Sequence, residues 1–163
     1  MTKQYFLEVA EYNSWANDLV HSWLNNITDE QWKKEVTSSF NSIGETALHI
    51  AGAETIWLDR LNKVPSPVWL PAVFKGTKDE VIELWKKASA GLRKSVEEFN
   101  ESAMREKLVF KRLNGDRYEM PHYHLFAHIF NHSAYHRGQL VTMLRQVGFT
   151  NVGSTDMLVF FRK

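Results

Sequence analysis

The sequence predicts an all-α protein, a four-helix bundle with one short hairpin between its third and fourth long helices and a short extended segment at its C-terminus. Three observations predict it. Four stretches of about 20 to 27 residues repeat apolar side chains every three or four positions, the spacing that lines one face of a helix. Hydroxyl residues stand where two of these helices would begin, and Pro or Gly where two would end. The 163-residue chain is 44% hydrophobic, with six Trp and ten Phe, which suffices to fill one core within a single domain spanning 1–163.

Residues 3 to 25 form the first long helix, with Tyr5, Val9, Tyr12, Ala16, Leu19, Val20 and Trp23 on one stripe and Lys3, Glu8, Glu11 and Asp18 off it. Thr28-Asp29-Glu30-Gln31 has the hydroxyl-x-x-Gln spacing of a capping box and predicts a short helix through Trp32. Ser42-Ile43-Gly44-Glu45 repeats that signature and opens the second long helix, carried by Ala47, Ile50, Ala51, Ile56, Trp57 and Leu61 and stopped by Val64-Pro65-Ser66-Pro67. Thr77-Lys78-Asp79-Glu80 caps the third, whose inner side reads Val81, Leu84, Trp85, Ala88, Leu92, Val96 and Phe99, with Gly91 an internal weakness. Between 107 and 120, Asn114-Gly115 separates two short β-prone runs, a hairpin signal. Pro121 suits the first turn of the fourth long helix, which runs to Val147 and ends at Gly148. The tail DMLVFFRK is short and apolar, suited to an extended segment lying on the bundle.

Composition excludes several functions. The absence of Cys removes disulfides, thiolate ligands and any protein-borne thiol nucleophile, so thiol chemistry here requires a co-substrate thiol. Twenty Lys and Arg against 19 Asp and Glu, with the basic doublets scattered, give no stripe for nucleic acid. The N-terminus lacks an apolar leader and no run reaches the ~18 apolar residues of a spanning helix, so a cytoplasmic protein with no membrane partner is expected.

The chemistry concentrates in a histidine ladder, His124, His128, His132 and His136, within the fourth long helix. Imidazoles four residues apart project from one helix face, near enough for both to reach one ion at about 2.1 Å. Successive rungs rotate by roughly 40°, so only neighbours can share an ion. Leu125, Ile129, Leu140, Met143 and Val147 cluster around the direction of His136, which selects His132 and His136 as the inward pair. Burying two imidazoles without partners is costly, whereas one divalent ion engages both lone pairs. A third ligand must come from another helix, and His49, on a stripe with Ala53, Ile56 and Arg60, can point inward from the second. His128 fits a polar contact beside the site, and His21, His122 and His124 fit surface or capping positions.

These residues resemble the DinB family, also grouped with YfiT-like metal-dependent enzymes. The matching segments are Tyr12-Asn13-Ser14-Trp15-Ala16-Asn17, Leu48-His49-Ile50 and the run from Asn131 to Leu140 containing His132-Ser133-Ala134-Tyr135-His136-Arg137-Gly138-Gln139, with Asp156 in the tail. The resemblance implies a four-helix bundle in which His49, His132 and His136 bind a divalent metal, commonly zinc or nickel, with open positions. Iron, manganese and cobalt also suit imidazole ligands. It further implies a homodimer, and relatives that include transferases and isomerases using bacillithiol or mycothiol. The family name refers to DNA-damage induction and does not imply DNA binding.

Three neutral His would leave an ion its full charge and an exchangeable position, the arrangement of a catalytic site. The leading expectation is a thiol-dependent S-transferase joining a low-molecular-weight thiol to an electrophilic small molecule. Trp57 and Tyr135 are candidates for the mouth, Arg137 and Arg60 for a carboxylate of the thiol, and residues 62 to 76 for specificity. The alternatives are a metal-dependent hydrolase, with Glu45 as candidate base, and a non-catalytic metal-binding stress protein.

Overall fold

The computed structural model describes residues 2–162; Met1 and Lys163, the two ends of the expected domain and tail, lie outside the described residues. Four long helices, α1 (Lys3–Asn25), α3 (Ile43–Leu61), α5 (Lys78–Glu98) and α6 (His122–Gln146), make the bundle, with short α2 (Asp29–Lys33) and α4 (Leu70–Val73) in the connections. Each of α1 and α3 packs against both α5 and α6. The starts follow the capping chemistry. Thr28 and Thr77 form reciprocal capping boxes with Gln31 and Glu80, and the Ser42 side chain accepts the Glu45 N–H.

A 3₁₀ turn (Glu101–Arg105) leads into the hairpin, β1 (Lys107–Lys111) antiparallel to β2 (Arg117–Pro121), with Phe110 opposite Tyr118. Its loop spans 112–116, closed by Arg112 N–H to Asp116 O at 2.8 Å, and Gly115 supplies the positive φ of +90°. Two expectations need correction here. Pro121 does not stand in the first turn of α6: it is the last residue of β2 and the residue preceding the helix, where its missing N–H is harmless. The tail is not extended. Asp156 accepts the Leu158 N–H at 2.7 Å and starts a short helix, α7 (Met157–Phe161), held to α1 by the Tyr12 hydroxyl donating to Thr155 O at 2.8 Å. Gly91, read as a weakness, is a packing device: a Cβ there would lie 2.4 Å from Leu58 Cδ2 of α3.

The core has two apolar halves. One gathers Val20, Trp23, Ile43, Ile50, Val81, Trp85, Leu140 and Met143; the other gathers Phe6, Val9, Leu92, Val96, Phe126 and Phe130. In sequence order on every long helix, buried polar residues fall between the two: Asn13 and Asn17 on α1, Glu54 on α3, Ser89 on α5, Ser133 and Arg137 on α6. Glu54 Oε1 accepts from Asn13 Nδ2 and Asn17 Nδ2, both at 3.1 Å, and from Ser133 Oγ at 2.9 Å, while Oε2 accepts from Ser89 Oγ at 2.5 Å. Arg137 Nη1 donates to the side-chain oxygens of Asn13 and Asn17 at 2.5 and 2.8 Å. The two asparagines thus relay a buried cation to a buried anion, and the polar waist ties all four helices in one register.

His21 also departs from the surface expectation. It is buried edge-on to Trp85, ring centroids 4.7 Å apart, because its stripe on α1 faces α5. Burial, assisted by Lys86 and opposed by Glu83, lowers its pKa to about 4. The folded pKa lies below the unfolded value, so the unfolded chain binds the extra proton first. The stabilisation is therefore complete above pH 6.5 and lost as pH falls toward 4, on the order of 3 kcal/mol at most. Thermal melts of His21→Leu should show a shallower Tm decline than wild type across that window; parallel declines would disprove the assignment.

Candidate metal centre

The structure brings together His49 from α3 with His132 and His136 from α6. One nitrogen of each lies within 4.8 Å of the others, and the Nε2 atoms of His49 and His132 are 3.0 Å apart. Two imidazoles sharing an ion with bonds of about 2.1 Å place their nitrogens roughly 3 to 3.5 Å apart, so the spacing fits a divalent metal. Local geometry accounts for the pair on α6, one turn apart. His49 lies beside the polar waist that joins α3 to α6: Ser133 and Arg137 alternate with the two histidines, and Glu54, which accepts from Ser133, follows His49 on α3.

The donor set is chemically suited to a cation. Burial lowers the His49 pKa to about 4, with His136 adding to the effect, and lowers His132 to about 3, with His136, His49 and His128 adding. Burial lowers His136 too, opposed by its hydrogen bond to Gln139. All three rings are thus neutral at neutral pH and keep a lone pair for a metal. His136 Nδ1 lies 2.7 Å from Gln139 Oε1, whose amide nitrogen donates to Ser39 Oγ at 2.7 Å. The carbonyl can only accept, so Nδ1 carries the proton and Nε2 the lone pair.

Aromatic rings wall the centre. Phe40 stacks on His49 with centroids 4.3 Å apart and also touches His136; Trp69 meets His49 edge-on at 5.6 Å. Tyr135, 60% exposed, lies edge-on to His136. Trp57 is half-buried on the far side of His128, with ring centroids 5.4 Å apart, and His128 stands 5.8 Å from His132.

Several candidates take other places. Arg137 is fully buried in the waist, so it does not reach a bound thiol; its side chain turns inward because Asn13 and Asn17 present acceptors there. Glu45 is exposed in the first turn of α3, its Oε2 accepting the Asn41 N–H at 3.1 Å. Arg60 spreads over Trp57 and Phe110. His122 Nδ1 lies 2.8 Å from Glu106 O at the start of α6, and the exposed His124 packs on Tyr123. Asp156 serves as the cap of α7. Sequence reasoning missed Glu54, whose one signal was a carboxylate inside the apolar stripe of the second helix, and missed Phe40 and the role of Gln139, which follow only from the fold.

A helical bundle that converges three neutral imidazoles from two helices defines a class of protein able to hold a metal ion between its helices. The particular family is also clear: the chain belongs to the DinB family, whose description matches residues 1–161. It is 24% identical over 159 residues to Protein DinB of Bacillus subtilis (strain 168), covering 94% of this chain and 92% of that one. It is 27% identical over 159 residues to the uncharacterized protein YrdA of the same organism, covering 93% and 87%. A crystal structure of a DinB-like protein from Bacillus cereus ATCC 10987 shares the fold, with a TM-score of 0.72 over 94% of this chain and 97% of that one at 20% identity. No helix among the described residues is long and apolar enough to cross a membrane.

Proposed function

We propose that this protein is a divalent-metal-dependent S-transferase that uses His49, His132 and His136 as its ligands, with zinc or nickel the best-suited ions. The observation that carries the reading is the convergence of three neutral imidazoles, one of them oriented by Gln139, with the rings of Phe40, Trp69 and Tyr135 packed around them. A bound ion would supply positive charge that keeps a low-molecular-weight thiol as thiolate near neutral pH. The chain itself has no Cys to compete for that role. In this reading Phe40 and Trp69, packed on His49, shield that ligand from water, and the exposed Tyr135 borders the approach of the thiol and its electrophile. In the transfer, the sulfur lone pair forms a bond to the electrophilic carbon, the leaving group departs with its bonding pair, and the thiol proton passes to solvent. A cytoplasmic location and a homodimeric state belong to the same reading.

The test uses cobalt-loaded protein with N-acetylcysteine and 1-chloro-2,4-dinitrobenzene. A thiolate-to-metal absorption band on adding thiol, together with thioether formation well above the rate without protein, supports the proposal. Absence of both overturns it. Turnover that proceeds without added thiol would replace transfer with hydrolysis.

A further inference from the structure

Beside His128 lies a cavity of about 580 Å³, within the usual range for a small-molecule site, between α3, α6 and the hairpin. Its walls are chemically one-sided. Trp57, Phe110 and Tyr118 present successive rings, 5.0 and 5.8 Å between centroids, and Arg60 and Arg112 supply two cations, with no acidic side chain in the lining. Arg60 is held over both Trp57 and Phe110, at 4.5 and 4.9 Å, and its Nη2 donates to Lys111 O at 2.9 Å. That leaves its buried Nε without a partner, and neither arginine has a carboxylate within ion-pair distance among the described residues. A guanidinium fixed by stacking and one carbonyl, with no carboxylate to neutralise it, is prepared for a planar anion. Position adds to this: His128 lines the cavity and stands next to His132.

We propose that this cavity binds a small organic anion with a flat apolar body, its carboxylate held by Arg60 and Arg112, its body against Trp57, Phe110 and Tyr118, and its reacting end directed past His128 toward the three histidines. The direction of the reacting end rests on the metal reading above; the binding itself does not. Specificity therefore sits in the hairpin, through Phe110, Arg112 and Tyr118, rather than in residues 62 to 76 alone.

The experiment is calorimetric titration of chelator-treated protein with 2-naphthoate and its neutral analogue 2-naphthamide. The expected result is saturable binding of naphthoate at least about tenfold tighter than naphthamide, because a charge-assisted pair is lost in the amide. Arg60→Gln should weaken naphthoate by about tenfold or more and the exposed Arg112→Gln by a few-fold, in each case by more than it weakens naphthamide. Should Arg60→Gln fail to fold, Arg112→Gln still decides. No saturable binding, equal affinity for the two probes, or naphthoate affinity unchanged in the folded variants would overturn the proposal. Retention of naphthoate selectivity in His132→Ala separates this pocket from the metal centre: the pocket then stands even where metal binding fails, and the metal reading stands or falls on its own titration.

Discussion

His132→Ala should abolish near-stoichiometric metal binding while leaving the bundle folded. His132 would supply one of three donors: its Nε2 is 3.0 Å from that of His49, and its ring centroid is 4.4 Å from that of His136. Without it the remaining imidazoles come from different helices and supply two donors, fewer than the three protein ligands of an open catalytic site. The affinity loss should exceed about 100-fold, the upper range for groups that merely orient ligands. Gln139→Met provides the gradation. It leaves three donors but frees the His136 tautomer, and should cost about 10- to 100-fold. The check is metal content by mass spectrometry after gentle purification, then competition titration with a chelator, with circular dichroism to establish folding. Full metal retention in His132→Ala would place the ion elsewhere; equal losses in the two variants would mean that Gln139 is itself a ligand.

The difference between these residues also explains what was legible beforehand. His132 and His136 could be paired from sequence because their relation is local: four residues on one helix fix both direction and distance. His49 could be nominated, since it was the remaining histidine within a helix, but its approach depends on how α3 is rotated against α6. Tying the helices together there are Glu54, Asn13, Asn17, Ser89, Ser133 and Arg137, six residues on four helices whose partnership leaves no periodic trace. Each alone reads as an ordinary polar residue, and Arg137 reads as a partner for a carboxylate of the thiol. The tail shows a local failure of a different kind. Met157–Phe161 is too short for helical periodicity to declare itself, and its one cue was Asp156 in the capping position.

Arg137→Met should be the most destabilising of the changes considered, by about 3–5 kcal/mol, because it removes the buried cation and leaves Glu54, 1% exposed, as an uncompensated anion. Ordinary surface arginines cost at most about 0.5 kcal/mol when replaced. Glu54→Leu should cost a similar amount for the complementary reason, since it strands the donors of Asn13, Asn17, Ser89 and Ser133. The double variant should be destabilised by clearly less than the sum, with a coupling of about 1–3 kcal/mol, because the second change removes a group the first had orphaned. Urea titrations followed by circular dichroism measure all three against wild type, and simple additivity would mean that cation and anion act independently. The consequence for the site separates this waist from mere ballast. If the network sets the rotation that brings His49 to His132, the double variant, folded but without its polar register, should bind metal more weakly than wild type even at temperatures well below its midpoint. A double variant with wild-type affinity would show that apolar packing alone aligns α3 with α6.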